Sequence, residues 1–139
     1  MRTVLKWVDK VSDRDKQDQC VYSLCFSPDG TQLIAAAGQM VLVYDTTHGS
    51  LIQPLKGHKD SVYSVDYSCD GKRFASGSAD KNVIIWSNKL EGVLKYSHSD
   101  AVQCISFNPN STHLASCGAS ELIVWSPEVK AVLKSKSNS

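Results

Sequence analysis

Three residue types that serine hydrolases combine stand near one another in the middle of this chain: His58, Ser76 and Asp80. A hydroxyl, an imidazole to take its proton and a carboxylate to orient the imidazole make up an acyl-transfer triad. Such a site also needs an exposed nucleophile, a cleft and oxyanion-hole donors. The sequence offers no motif for these, so a hydrolase remains only a remote alternative. No GxGxxG, GxxxxGK[ST] or HExxH occurs, and nucleotide or metallopeptidase chemistry has no anchor. His48 and His113 have no second ligand at zinc spacing and read as solvated turn residues. The five cysteines, Cys20, Cys25, Cys69, Cys104 and Cys117, are odd in number and lack CxxC spacing. They read as reduced packing residues rather than a disulfide framework. Catalytic residues, a metal, a cofactor and a small-molecule substrate are all expected to be absent.

Charge points the same way. The 139 residues carry a formal net charge of +1, and no block of basic residues occurs that would favour nucleic acid or an anionic membrane. Tyr22, Tyr63 and Tyr67 could form a base-stacking platform, but they fall in strand-like runs where packing is the better reading. The first ten residues, "MRTVLKWVDK", are too interrupted by charge for a signal peptide, and no apolar run reaches the roughly 18 residues of a membrane span. A cytosolic address without membrane insertion is expected. The sequon at Asn110 then carries no meaning.

The elements that position these residues come from a repeat. "CVYSLCF", "SVYSVDY" and "AVQCISF" align, so that Val21, Val62 and Val102 are separated by 41 and 40 residues. Phe26, Tyr67 and Phe107 keep the same spacing, as do Leu33, Phe74 and Leu114. Each unit holds β-rich runs separated by turn residues such as Pro28-Asp29-Gly30, and no helical periodicity is sustained. Runs such as "MVLVY" and "NVIIW" are apolar at successive positions, which suits strands covered on both faces. Four short strands in each repeat of about 40–45 residues describe a β-propeller blade.

The second unit, with Gly57-His58 and "FASGSADKNVIIWS", resembles a WD-repeat. Trp86 ends its third strand, and Ser87 stands where the family usually has Asp. The resemblance implies that His58, Ser76, Asp80 and Trp86 form a structural tetrad in which the serine hydroxyl meets the indole N–H and the imidazole bridges serine and aspartate. The third unit keeps His98, Ser116 and Trp125 but has Ala119-Ser120 in the turn, implying a partial and weaker tetrad. The first has Tyr44-Asp45 and no Gly-His. Lys59, Asp60, Lys72, Arg73, Lys81 and Asn82 fall in turns of the second unit and are plausible partner contacts, although solvated loop is the default for each.

The longer string from "TQLIAAAG" to "NVIIWSNKLEG" resembles the amino terminus of WD-repeat subunits of intraflagellar transport complex A. That resemblance implies a non-enzymatic scaffold of the cytoplasm, cilium and ciliary base. Its roles would be retrograde ciliary transport, cilium assembly and admission of membrane-protein cargo. Other complex A subunits and cargo adaptors would be its partners, without nucleic acid. A WD-repeat adaptor of another assembly, such as a ubiquitin ligase receptor or a vesicle coat, is the alternative.

The fold class is therefore an incomplete all-β propeller of about three four-stranded blades, at 20–56, 57–97 and 98–134. A polar loop at 9–19 precedes them and a tail at 135–139 follows. "TVLKW" at the start resembles the outer runs "GVLKY" and "AVLKS". Residues 1–8 are accordingly expected to supply the outermost strand of a final blade. Without that blade they should lie unpaired, with apolar faces left open on blades one and three.

Overall fold

The computed structural model describes residues 4–12 and 17–126, and the backbone of a last strand at 131–136. Twelve strands form three antiparallel sheets. Blade 1 is β1 (Val21–Phe26), β2 (Gln32–Ala37), β3 (Met40–Asp45) and β4 (Leu51–Leu55). Blade 2 is β5 (Val62–Tyr67), β6 (Arg73–Ser78), β7 (Asn82–Ser87) and β8 (Gly92–Ser97). Blade 3 is β9 (Cys104–Phe107), β10 (Leu114–Gly118), β11 (Glu121–Trp125) and β12 (Ala131–Lys136). Strand order follows chain order in each sheet, so every connection is a hairpin between neighbours. The result is an all-β, unclosed propeller, and among the described residues no helix is long and apolar enough to cross a membrane.

Local chemistry sets the turns. In β1–β2 and β5–β6 the aspartate of the turn accepts the preceding serine hydroxyl and a following backbone N–H: Asp29 from Ser27 and Thr31, Asp70 from Ser68 and Lys72. These donors hold the Asp29 carboxyl at about 2. Gly30 and Gly71 then take φ of 75° and 73°, a region glycine enters without strain, whereas blade 3 places Ser111 there at 59°. Pro54 lies in β4, an outer edge strand, where a missing N–H removes no ladder bond.

The second and third strands of blades 1 and 2 are buried on both faces, whereas those of blade 3, which has a neighbour on one side, alternate in burial. Ile34, Ala36, Val41 and Val43 of blade 1 meet Phe74, Ile84 and Trp86 of blade 2. Ala75, Val83 and Ile85 of blade 2 meet Ile105, Leu114, Ile123 and Trp125 of blade 3. Polar ties repeat with the blades. Val62 N–H donates to Gly38 O and Val102 N–H to Ser78 O, while Val65 N–H reaches Ser23 Oγ and Ile105 N–H reaches Ser64 Oγ. Phe107 N–H adds a 2.7 Å bond to Asp66 Oδ2.

One expectation is corrected at the start of the chain. The apolar face of blade 1 that points away from blade 2 is not open: Ala35, Ala37, Leu42 and Tyr44 are buried beneath Trp7 and Val11. Residues 4–8 make no strand, yet Trp7 is docked. The 9–19 loop is anchored at its base by a Ser12–Asp18 bridge and a Gln19 N–H to Val11 O bond, with Lys10 and Asp18 paired at 3.4 Å. Blade 3 does keep an exposed apolar residue on its far face, Leu122.

Candidate functional site

Blade 2 gathers His58, Ser76, Asp80 and Trp86 into one connected chain. Ser76 faces inward from β6, fully buried, and accepts the Trp86 indole N–H at 2.9 Å. His58 Nε2 lies 2.6 Å from the same hydroxyl, and His58 Nδ1 lies 3.0 Å from Asp80 Oδ2. A carboxylate at Nδ1 selects the tautomer protonated there, so the Ser76 hydroxyl donates to Nε2. Asp80 also accepts the backbone N–H groups of Lys59 and Asn82, which ties the β4–β5 connection to the β6–β7 turn. Ser78 continues the tie: its hydroxyl donates toward Asp60 O and Ser61 O and accepts Asp80 N–H.

Electrostatics keep the pair polarised. Burial pulls the His58 imidazole below its ordinary value, and Asp80 only partly offsets this. Burial pushes the Asp80 carboxyl up, but the two backbone N–H groups and the imidazole outweigh it and leave the carboxyl below its usual range. A neutral histidine between a hydroxyl and a carboxylate satisfies every donor and acceptor. The hydroxyl is spent on this network and has no exposed surface.

Blade 3 repeats the network with one change that the sequence reading missed. Trp125 Nε1 donates to Ser116 Oγ at 2.7 Å, and His98 Nε2 lies 2.6 Å from that oxygen. The acid is Glu121, whose Oε1 stands 2.9 Å from His98 Nδ1. It also accepts Ser99 N–H, as Asp80 accepts Lys59 N–H. An acid therefore stands at ion-pair distance from the His98 of His98, Ser116 and Trp125, where the sequence reading expected none. The β10–β11 turn is one residue shorter than β6–β7, with Gly118 facing Glu121 directly, so the acid moves onto the strand and a longer side chain restores the reach.

Blade 1 replaces the network. Ala35 stands at the serine position and Tyr44 at the tryptophan position, both facing away from blade 2. Tyr44 Oη donates to Asp9 Oδ2 at 2.6 Å, and burial with this bond pushes the phenol well above its ordinary value. Trp7 packs on the Tyr44 ring at 5.6 Å between centroids and donates its indole N–H to Thr46 O. The link from blade 2 to blade 3 has the same form: Tyr96 at the end of β8 stacks on Trp125 at 4.1 Å and donates to Ser126 O. Trp7 stands toward blade 1 as Tyr96 stands toward blade 3.

A family model described as the IFT122 first beta-propeller matches residues 20–139. The chain belongs to the IFT122 first β-propeller family. It is 65% identical over 139 residues to the intraflagellar transport protein 122 homolog of Xenopus tropicalis and 61% identical to that of Homo sapiens. All of this chain is covered in both comparisons, against 12% and 11% of those proteins. The chain thus spans a small fraction of the length of these relatives. A solved structure of U3-55K superimposes with a TM-score of 0.82 over 86% of this chain and 40% of that one, at 23% identity, which shows the shared fold.

The remaining candidates do not converge on one site: Lys72, Arg73 and His113 line a cleft between blades 2 and 3, and the others lie elsewhere. His48 is exposed and 3.0 Å from Asp45, and His113 contacts Thr112, so the two imidazoles serve different turns. Among the described residues no group of three metal-ligating side chains forms. Tyr67 is buried on Phe74, whereas Tyr22 is half exposed in an edge-to-face pair with Tyr63, so the three tyrosines make no single platform. Cys25 is half-buried, and this burial with nearby Asp66 pushes its thiol up to about 12; all five cysteines are free. Lys59, Asp60, Lys81 and Asn82 lie at the tetrad end of blade 2, and Lys72 and Arg73 at the opposite end of β6, so they form two separate surfaces.

Proposed function

We propose that this chain is a non-catalytic protein-interaction scaffold, the opening blades of the first propeller of an intraflagellar transport complex A subunit. Its work is retrograde ciliary transport, cilium assembly and admission of membrane-protein cargo, at the ciliary base and in the cilium. The identity of 61–65% along all 139 residues carries this reading. The site geometry supports it: the hydroxyl, imidazole and carboxylate that could do chemistry are committed to fixing loops against strands. The other complex A subunits and cargo adaptors are its partners.

Residues 1–8 supply the outer strand of the last blade in this reading. Trp7 supports it by meeting Tyr44 as the end of β8 meets Trp125, although residues 1–3 lie outside the described residues. The test is affinity purification of the tagged full-length protein from ciliated cells. Recovery of the other complex A subunits is expected; a ubiquitin ligase or coat in their absence sinks the assignment. Stoichiometric labelling of Ser76 by a fluorophosphonate would restore the hydrolase.

A further inference from the structure

The three blade junctions differ at one position. Trp7 brings a ring onto Tyr44, and Tyr96, opposite Val83 in β8, brings a ring onto Trp125. At the junction between blades 1 and 2 the corresponding residue, opposite Val41 in β4, is Leu55. Trp86 therefore receives no aromatic side chain from the preceding blade. A groove of about 370 Å³ lies beside it on the outer rim, with apolar walls from Ile84, Trp86 and Val93. Gly57 and Gly92 keep it open: a Cβ on Gly92 would sit 3.5 Å from Trp86 Cζ3, and one on Gly57 3.1 Å from Cη2. Lys56 and Lys95 stand at its margins, and no carboxylate is among the described residues that line it. The adjoining β8 is the outer strand of its sheet, so its far edge carries backbone groups without a strand partner in that sheet.

We propose that this rim groove docks an extended acidic segment of a partner protein that inserts one aromatic side chain beside Trp86. The segment adds to the free edge of β8, and its carboxylates meet Lys56 and Lys95. The molecule itself shows the mode twice, since Trp7 and Tyr96 each place a ring on the equivalent residue and donate to a backbone carbonyl beyond it. An aromatic anchor in an apolar recess with a charged margin is the usual composition of an energetic centre in a protein interface. The site rests on the scaffold reading and gives it a location and a partner chemistry.

Fluorescence anisotropy on the purified full-length protein tests it. The probe is a fluorescein-labelled peptide with a central tryptophan between valines and glutamates on both flanks. Saturable binding is expected, weakened about tenfold or more by Gly92→Leu, which fills the groove, and similarly by the exposed pair Lys56→Glu with Lys95→Glu. The charge reversal leaves the apolar walls intact, so it decides the matter if Gly92→Leu misfolds. Absence of binding overturns the proposal, as does equal binding of peptides with alanine for tryptophan or lysine for glutamate. Wild-type affinity in the charge-reversed protein overturns it too, and self-association abolished by Gly92→Leu would give the groove to a second copy instead. Recovery of complex A subunits in the purification alongside any of these failures confines the failure to the groove.

Discussion

Glu121 Oε1 lies 2.9 Å from His98 Nδ1 although Glu121 occupies the strand position that Asn82 holds in blade 2. One residue fewer in the turn is offset by one methylene more in the side chain. Glu121→Asp should therefore damage blade 3 nearly as much as Glu121→Ala, while Glu121→Gln, which keeps the length, should be milder. Leaving His98 and Ser99 N–H without their acceptor costs about 1–3 kcal/mol for each neutral group. Hydrogen-exchange mass spectrometry of peptides covering 98–121 should show protection falling by roughly fivefold to 150-fold for each group stranded. Full protection in Glu121→Asp would mean that the reach does not matter.

In blade 2 the acid should matter more than the base. Asp80 accepts from His58, Lys59 N–H and Asn82 N–H, so Asp80→Ala orphans three donors, whereas His58→Ala orphans only the Ser76 O–H, since each carboxylate oxygen keeps a backbone N–H. At about 1–3 kcal/mol per stranded group, both variants lower stability and Asp80→Ala lowers it further. The double variant should fall short of the sum, because the two share a bond. Exchange across 57–82 reports the order. Equal or reversed effects would place the weight of the network on the imidazole instead.

Acid should loosen this network at its histidine first. Burial holds the folded-state value of His58 below 6.5, so the unfolded chain binds the proton more readily. Stability from the neutral imidazole is therefore present above about pH 6.5 and is lost as pH falls from there toward the folded value. Asp80 is also lowered, from 3.8, so its contribution is intact through that window and is lost only below it. Protection of blade 2, corrected for intrinsic exchange rates, should stay flat above about pH 7 and decline toward about pH 5. The decline should vanish in His58→Asn; a slope that persists there belongs to another group.

The repeat was legible because each blade spends its residues on the same tasks. The 40- and 41-residue spacings placed the inner, second and third strands, and His58, Ser76 and Trp86 stood at spacings the structure joins by hydrogen bonds. Glu121 escaped because a motif assigns the acid to a turn position, while the chain fixes only that a carboxylate must reach an imidazole. A search for any acid within one residue of the turn would have found it. Trp7 and Asp9 escaped for another reason. Their partner Tyr44 is 37 and 35 residues away, and nothing in a two-residue alternation marks a ring that packs across blades. The rim groove follows from a leucine where the neighbouring junctions carry rings, a difference visible only after the strands are in register.

The two ends of the array should respond differently when residues 1–139 are produced alone. Blade 1 is covered by Trp7 and Val11, so Trp7→Ala should uncover Tyr44 and Leu42 and cost less than the roughly 3–5 kcal/mol of a fully buried tryptophan, because Trp7 is itself only partly buried. Blade 3 has no such cover among the described residues over Leu122, which is 49% exposed on a face whose counterparts in blades 1 and 2 are packed. An open apolar face on a repeat array drives association. Light scattering during gel filtration should find the isolated chain self-associating. Leu122→Glu should reduce that association, and Trp7→Ala should increase it by adding a second open face. A monomer with a sharp two-state transition would show that Leu122 needs no neighbour, and association unaffected by Leu122→Glu would move the contact elsewhere.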